Sequence, residues 1–258
     1  MKTQMIKPTY EFYSQLQQAY DWFNKTLFEN ALPSCLITVQ REKNTLGFFS
    51  PLRWSNEGEK NVHEIALNPA YFANRKIVEV FQTLVHEQCH LWQHEFGRPS
   101  RSGYHNREWA DKMESIGLMP SSTGRPGGDK TGQRMSDYLI KTGQFKKACI
   151  ELIESGHQFR WADRRIPRSD ILNLSQHSVI PLSPDQDGST LLQSLIPSPE
   201  SLLSIPMATL IPHFEHHAEQ QKAKSKTKYS CSICDINVWG KPNLHIRCEA
   251  CSELFISI

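Results

Sequence analysis

The feature that most constrains this chain is a pair of histidines and a glutamate inside one long apolar segment. Residues 76–96 contain neither glycine nor proline, and their apolar side chains recur every three or four positions. This spacing predicts a buried amphipathic helix. Within it, His86, Glu87 and His90 form an H-E-x-x-H pattern that sets the two imidazoles on one face, one turn apart. A charged glutamate between histidines on a buried helix requires a partner, and a metal ion is the simplest one.

A hydrolytic zinc site needs a third protein ligand and one position left open for water. His94 lies further along the same face, but eight residues at ~1.5 Å rise put its Cα about 12 Å from that of His86. Zinc–nitrogen bonds of ~2 Å do not easily span that distance, and Glu95 meets the same difficulty. His105 follows a loop at 97–104 that can turn the chain back. His105 is therefore the favoured third ligand.

The chain around His105 predicts a second helix beside the first. Gly97 is expected to end the first helix as a left-handed cap. The second helix is expected to begin near Asn106, a good N-cap, with Glu108 in its first turn. Gly117 and Pro120 are expected to end this helix. His105 would then stand at the start of a helix packed against the metal-binding one.

These residues carry a family resemblance. The H-E-x-x-H pattern followed by His105 in the run 103–109 resembles the SprT-like zinc metalloproteases, whose relatives include the Spartan proteases that degrade proteins crosslinked to DNA. Asn106 stands where that family has glycine, and Trp109 stands where it has phenylalanine. The resemblance covers about residues 9–120, and both departures are mild.

The resemblance implies a fold and a chemistry. It implies an α+β, minigluzincin-like domain with one catalytic Zn²⁺ held by His86, His90 and His105, and with Glu87 as the general base of a zinc-dependent endopeptidase. The substrate would be a protein. Tyr104 and Arg107 are near in sequence as candidates for stabilising the oxyanion, but no other observation supports them.

The segment before the H-E-x-x-H helix fits an α+β domain. Residues 8–27 have helical apolar spacing, and 36–40, 47–49 and 63–68 are short apolar or β-branched runs that predict strands. In zinc peptidases an edge strand near the cleft can bind extended substrate by strand addition. The strand at 63–68 is the candidate for that role, and an ordinary internal strand is an equally good interpretation.

Four cysteines near the C-terminus predict a second metal site. Cys231-x2-Cys234 and Cys248-x2-Cys251 have the spacing of two zinc knuckles, which close a tetrahedral structural Zn²⁺ site with no open position. A zinc ribbon of this size has too little core to fold alone, so the metal would stabilise it. Several SprT-like proteins also carry a C-terminal zinc ribbon.

Aromatic and basic residues suggest a nucleic-acid partner, single- or double-stranded DNA. In the ribbon, Trp239 lies among Lys241, His245 and Arg247, and the glycine-rich run at 121–132 forms a basic loop. A ribbon can equally bind a protein. Alternating lysines precede the ribbon and suit either a solvated tether or phosphate contacts. They are Lys222, Lys224, Lys226 and Lys228.

The sequence also predicts the domain boundaries and the cellular location of the protein. We expect a SprT-like domain at 1–120, a basic loop and accessory segment at 121–166, a Pro/Ser-rich linker and Lys-rich tether at 167–228, and the ribbon at 229–258. The sequence has no signal-like run and no apolar stretch of membrane-spanning length, which predicts a cytoplasmic protein, nucleoid-associated if bacterial, without a membrane partner. The other cysteines and the tether histidines are expected to bind no metal. They are Cys35, Cys89, Cys149, His213, His216 and His217.

Three function classes fit the sequence. The first is a metalloprotease acting on proteins at or crosslinked to DNA, which the basic segments and the ribbon favour. The second is a non-proteolytic zinc protein that binds nucleic acid or transcription machinery, although a purely structural site has no use for Glu87. The third is a metalloprotease without nucleic acid, whose ribbon contacts a partner protein.

Overall fold

The computed structural model describes residues 7–58, 61–166, 198–212, 214–215, 217–218 and 226–258. The chain divides into two compact units, Met1–Ala218 and Glu219–Ile258. Both combine short strands with helices or turns, which confirms the α+β class. The helices of the first unit are α1 (Pro8–Leu27), α2 (Ile77–Phe96), α3 (Arg107–Ser115), α4 (Gln144–Glu154), α5 (Pro199–Leu202) and α6 (Met207–Leu210), with a 3-10 turn at Pro69–Tyr71. Its strands are β1 (Leu36–Val39), β2 (Gly47–Ser55), β3 (Asn61–Leu67), β4 (Leu118–Ser121), β5 (Ser136–Leu139), β6 (Arg165–Ile166) and β7 (His217–Ala218).

Helix α1 has the bounds that the apolar spacing predicts. Pro8 occupies its first turn, where the fixed φ of proline suits a helix and its missing N–H costs nothing. The apolar face packs inward through Phe23, whose ring lies 5.3 Å from that of Phe81 in α2 and 5.7 Å from that of Phe145 in α4. The three helices therefore share one core.

The three-stranded sheet has the order β1-β3-β2, so β3 is its internal strand. Strand β3 runs parallel to β1 and antiparallel to β2. The run 63–68 therefore lies in a strand with both edges paired and cannot accept a substrate strand. Strand β2 is an edge, extends beyond the predicted 47–49, and shifts register between Ser50 and Trp54.

Helix α2 is confirmed over the predicted span, but Gly97 does not form a left-handed cap. Its φ of −123° and ψ of −155° are extended. Glycine suits this position because a Cβ there would lie 2.5 Å from a carboxylate oxygen of Glu108, which accepts hydrogen bonds from the Gln93 side chain and the Arg98 amide. The position is therefore explained by its neighbour and not by its backbone dihedral.

The segment after α3 is packed into the first unit. Strands β4 and β5 pair antiparallel across the glycine-rich run, and α4 follows. Phe145, Cys149 and Leu152 of α4 are buried in the common core. The indole N–H of Trp22 donates to the carbonyl of Ala148 at 2.9 Å, joining α1 to α4.

Residues 198–212 also belong to the first unit, so the predicted linker at 167–228 is wrong at these positions. Leu203 and Met207 are buried in the core. The Met207 amide donates to the carbonyl of Arg75, and that of Ala208 donates to Ala73. Short apolar helices without sustained periodicity gave no signal for this packing. His213, His216, Lys222 and Lys224 lie outside the described residues.

The second unit contains a three-stranded antiparallel sheet. Its strands are β8 (Thr227–Ser230), β9 (Asn237–Gly240) and β10 (Ile256–Ser257), in the order β10-β8-β9. Throughout the described part of the chain, no helix combines the length and apolar character needed to cross a membrane.

Candidate active site

Three histidine side chains converge at the junction of α2 and α3. His86 and His90 extend from one face of α2, and His105 lies two residues before the start of α3. The Nε2 atom of His105 lies 3.2 Å from that of His86 and 3.1 Å from that of His90. Two nitrogens ~2.05 Å from a tetrahedral zinc would lie about 3.3 Å apart. The donor set therefore fits a zinc ion with three protein ligands.

The surroundings of His90 and His105 favour neutral imidazoles, the form that binds a metal. Burial, followed by the nearby charge of His86, lowers the pKa of His105 to about 4. Burial and the charges of His86 and His105 hold the pKa of His90 well below its usual value. At His86 burial acts in the same direction, but hydrogen bonding to Asp137 and the charges of Glu87 and Asp137 outweigh it and raise the pKa.

Trp109 of α3 forms the floor beneath the three histidines. Its side chain is fully buried. The indole stacks on His90 with ring centroids 5.3 Å apart, and it meets His86 at 4.8 Å and His105 at 4.4 Å edge to face. The aromatic residue at this position therefore contacts all three imidazoles and limits their rotation.

A hydrogen-bonded clamp holds the loop that carries His105. The buried amide of Gln93 donates to Asn106 at 2.7 Å and to Glu108 at 2.8 Å. Asn106 also caps α3 by accepting from the Trp109 amide at 3.1 Å, as its sequence predicts, and donates to the carbonyl of Arg98. The clamp joins the end of α2 to the start of α3, one residue from His105.

Two hydrogen bonds reach the far side of the histidine rings from the β4–β5 segment. Nδ1 of His86 lies 3.3 Å from Oδ2 of Asp137, and Nδ1 of His105 lies 3.2 Å from the carbonyl oxygen of Gly132. Gln82 donates to the other carboxylate oxygen of Asp137 at 2.8 Å. Sequence reasoning missed both residues, because no spacing rule links His86 to a carboxylate 51 positions downstream.

Glu87 is buried next to the first histidine. The residue is only 6% exposed. Burial raises the pKa of Glu87 to about 7; the charge of His86 and a hydrogen bond from the Phe49 backbone oppose that rise, and the charge of Asp137 adds to it. A carboxyl group with a pKa near neutrality can both accept and return a proton. The Phe49 contact also sets the edge strand β2 beside Glu87.

His94 and Glu95 lie in a different group, with His63 of β3. The Leu52 amide donates to Nδ1 of His63 at 3.2 Å, so the ring proton lies on Nε2, which is 3.2 Å from a carboxylate oxygen of Glu95. A protonated Nε2 has no lone pair for a metal. The group is therefore a hydrogen-bonded cluster that fixes the irregular part of β2 to the end of α2.

The two residues named for the oxyanion gain no support. The guanidinium of Arg107 pairs with Asp111 at 2.7 Å, and its side chain is 75% exposed. The ring of Tyr104 lies beneath the guanidinium of Arg101 at 5.4 Å.

In the second unit, the four predicted cysteines come together. The ligand atoms of Cys231, Cys234, Cys248 and Cys251 all lie within 4.8 Å of one another. The Sγ atoms of Cys231 and Cys251 are 3.3 Å apart, and those of Cys234 and Cys248 are 3.9 Å apart. Thiolates ~2.3 Å from a tetrahedral zinc would be separated by about 3.8 Å. The group therefore fits a closed structural zinc site.

The two cysteine pairs sit in equivalent turns. Asp235 and Ser252, each following the second cysteine of its pair, have φ of 53° and 59°. Their amides donate to the carbonyls of Cys231 and Cys248 at 3.1 and 2.8 Å. The amides of Cys234 and Ile233 lower the pKa of Cys231 to about 7, whereas a hydrogen bond with Cys251, followed by burial, raises the pKa of Cys234 to about 12. At Cys231 the thiolate, the form that binds zinc, is thereby favoured.

The basic residues are not equally available to a nucleic acid. Lys130 of the glycine-rich loop pairs with Glu114 at 2.6 Å, whereas Arg125 is exposed. In the ribbon, Trp239 is 63% exposed and is the cross-strand neighbour of Lys228. Lys241 is exposed as well.

Residues 16–126 match the SprT-like family. A Salmonella typhimurium protein described as an uncharacterized protein in the mucB 3′ region is 54% identical over 59 residues, which are 22% of this chain and 80% of that protein. No solved structure matches the chain. The match to the family, which includes the H-E-x-x-H helix and His105, shows that the chain belongs to the SprT-like family.

Proposed function

We propose that the protein is a zinc-dependent endopeptidase of the SprT-like type that acts on proteins at or crosslinked to nucleic acid. The observation that carries the proposal is the convergence of His86, His90 and His105 with the buried carboxyl group of Glu87 beside them. A purely structural zinc site has no use for such a group. The order of α1, the sheet, α2 and α3 supports a minigluzincin-like fold for this unit.

The chain's own residues account for the proton transfers of amide hydrolysis. Zinc, when bound by the three histidines, polarises a carbonyl and lowers the pKa of water. The Glu87 carboxylate accepts the proton that the attacking water loses and delivers it to the leaving amine nitrogen.

Strand β2 is the edge that we assign to the substrate, in place of β3. It is an edge of the sheet, and the Phe49 backbone contacts Glu87. An extended peptide paired with β2 would carry its amide bonds past that carboxyl group. Leu52 and Trp54 of β2 are 52% and 44% exposed and are available to substrate side chains.

The test compares the purified full-length chain with Glu87→Gln, using a DNA-bound protein as substrate, with and without DNA and chelator. We expect Glu87→Gln to retain zinc and to lose cleavage of the substrate and of itself by about 10²–10⁴-fold. Glu151→Gln, which changes a partly exposed carboxylate on α4, is the matched control and should cleave normally. Normal cleavage by Glu87→Gln would overturn the proposal.

The nucleic-acid part of the proposal is supported by the exposed Trp239 beside Lys228, a pairing of a stacking ring and a cation. Salt titration of binding to single- and double-stranded DNA tests it. Trp239→Ala should weaken binding about 5- to 100-fold, whereas Trp161→Ala, which removes a half-exposed tryptophan of the first unit, should not. Absence of binding even at low salt would exclude direct DNA targeting and favour a protein partner for the ribbon.

The exposed Trp239 beside Lys228 also favours a second candidate function, a non-proteolytic zinc protein that binds nucleic acid. Under that function the wild type would bind zinc and DNA but cleave neither itself nor the DNA-bound substrate. The comparison with Glu87→Gln separates the two candidates, because only the peptidase predicts a difference between the two proteins.

A further inference from the structure

We infer that Asp137, together with the carbonyl of Gly132, is a positioning element of the histidine centre, supplied by a segment beyond the family match at 16–126. The inference rests on the proposed function in one respect, namely that His86, His90 and His105 bind a metal.

Both carboxylate oxygens of the buried Asp137 face hydrogen-bond partners. Its side chain is 8% exposed. One carboxylate oxygen faces Nδ1 of His86 at 3.3 Å, and the other accepts from the side-chain amide of Gln82 at 2.8 Å. Gln82 lies one turn before His86 on α2, so it holds the carboxylate beside the His86 ring. A carboxylate so enclosed is costly to bury unless its partners satisfy it.

The two contacts determine which ring nitrogen is free. A carboxylate and a carbonyl only accept hydrogen bonds, so Nδ1 of His86 and Nδ1 of His105 carry the ring protons. The Nε2 lone pairs are then directed at the point where the three rings converge. Second partners of this kind fix the orientation of a metal-binding histidine and raise its basicity.

The fold explains how one segment reaches both rings. Asp137 lies in β5 opposite Pro120 of β4. Five residues earlier, Gly132 forms an antiparallel bridge with His105, in which the two backbones exchange hydrogen bonds of 2.8 and 3.1 Å. The stretch 132–137 therefore contacts one histidine of α2 and the histidine that precedes α3, and it ties the two together.

The experiment measures zinc affinity in the full-length chain by competition with a chelator. His86→Ala identifies the histidine-bound zinc, and the cysteine-bound zinc serves as an internal reference. We expect Asp137→Ala to weaken zinc binding at the histidine centre about 10- to 100-fold and to leave the reference unchanged. Asp129→Asn alters an exposed aspartate of the same loop and should change neither. Asp137→Asn keeps the shape of the side chain and serves if the alanine variant does not fold. We expect it to weaken the same zinc about tenfold.

A tautomer measurement separates positioning from a general structural role. Nitrogen-15 NMR of the zinc-loaded wild type should show His86 with its proton on Nδ1, and Asp137→Asn should broaden or shift that signal while His63 stays unchanged. Wild-type zinc affinity in folded Asp137→Ala and Asp137→Asn would overturn the inference alone. If His86→Ala held as much zinc as the wild type, the proposed function and this inference would be overturned together.

Discussion

The two candidate metal centres of this chain are built in opposite ways. The cysteine centre takes four identical ligands from two equivalent turns, each formed within a few residues. The histidine centre draws its three imidazoles from two elements, and hydrogen bonds of Gln93, Asn106, Asp137 and Gly132 hold the rings or the loop that carries His105. A site assembled from distant segments can leave one side open and place a carboxyl group beside it. A site built from local turns is closed, and it stabilises the fold around it.

The difference is largest in what metal removal does to each unit. Among the described residues of the second unit, the buried apolar side chains are Tyr229, Cys231 and Cys248, whereas the first unit has a continuous core. Chelation should therefore remove ~10–16 kcal/mol of zinc-binding free energy from the second unit. We expect this unit to unfold and the first unit to stay folded. Amide NMR signals of β8 and β9 should collapse while those of α1 and α2 persist. Simultaneous collapse of both sets would contradict the comparison.

A second prediction concerns the core of the first unit, whose stability should depend on pH through a buried histidine. His157 packs on Phe81 and Phe159, and neither ring nitrogen has a hydrogen-bond partner within the described structure. Burial lowers its pKa from 6.5 to about 4. The unfolded chain therefore binds the proton more readily, and stability present above pH 6.5 is lost as pH falls toward 4, by about 3 kcal/mol in full.

Urea unfolding between pH 7 and 4 measures this contribution of His157 to the free energy of unfolding. His157→Phe should remove this part of the acid sensitivity, whereas His245→Phe, at an exposed histidine of the second unit, should leave it unchanged. An identical pH slope in His157→Phe and the wild type would show that another group is responsible.

The smallest expected effect concerns the clamp that distinguishes the histidine centre from the self-contained cysteine turns. Asn106→Ala removes the cap of α3 and the acceptor of Gln93, and should cost the first unit about 1–2 kcal/mol. Thermal unfolding checks the cost, and Asn56→Ala, at an exposed turn, provides the reference. We also expect a lower zinc affinity at the histidine centre, since His105 directly precedes the lost cap.

The sequence allowed prediction of what depends on local spacing. Apolar periodicity predicts α1 and α2. The distance along α2 from His86 disfavours His94 as a ligand, and a loop of suitable length favours His105. Each inference needs only a short stretch of neighbouring sequence. The internal position of β3, the approach of Glu108 to Gly97, the packing of Leu203 and Met207, and the contacts of Asp137 and Gly132 depend on pairings between distant segments. No periodic pattern records such pairings, so they required the structure.

Zinc content of the full-length chain tests the central claim most directly. We predict two zinc ions per chain in the wild type, one after His86→Ala with His90→Ala, and none after Cys231→Ser with Cys234→Ser is added to that variant. Cleavage should disappear at the first step. A wild type that holds a single zinc, unaffected by loss of the two histidines, would contradict the account.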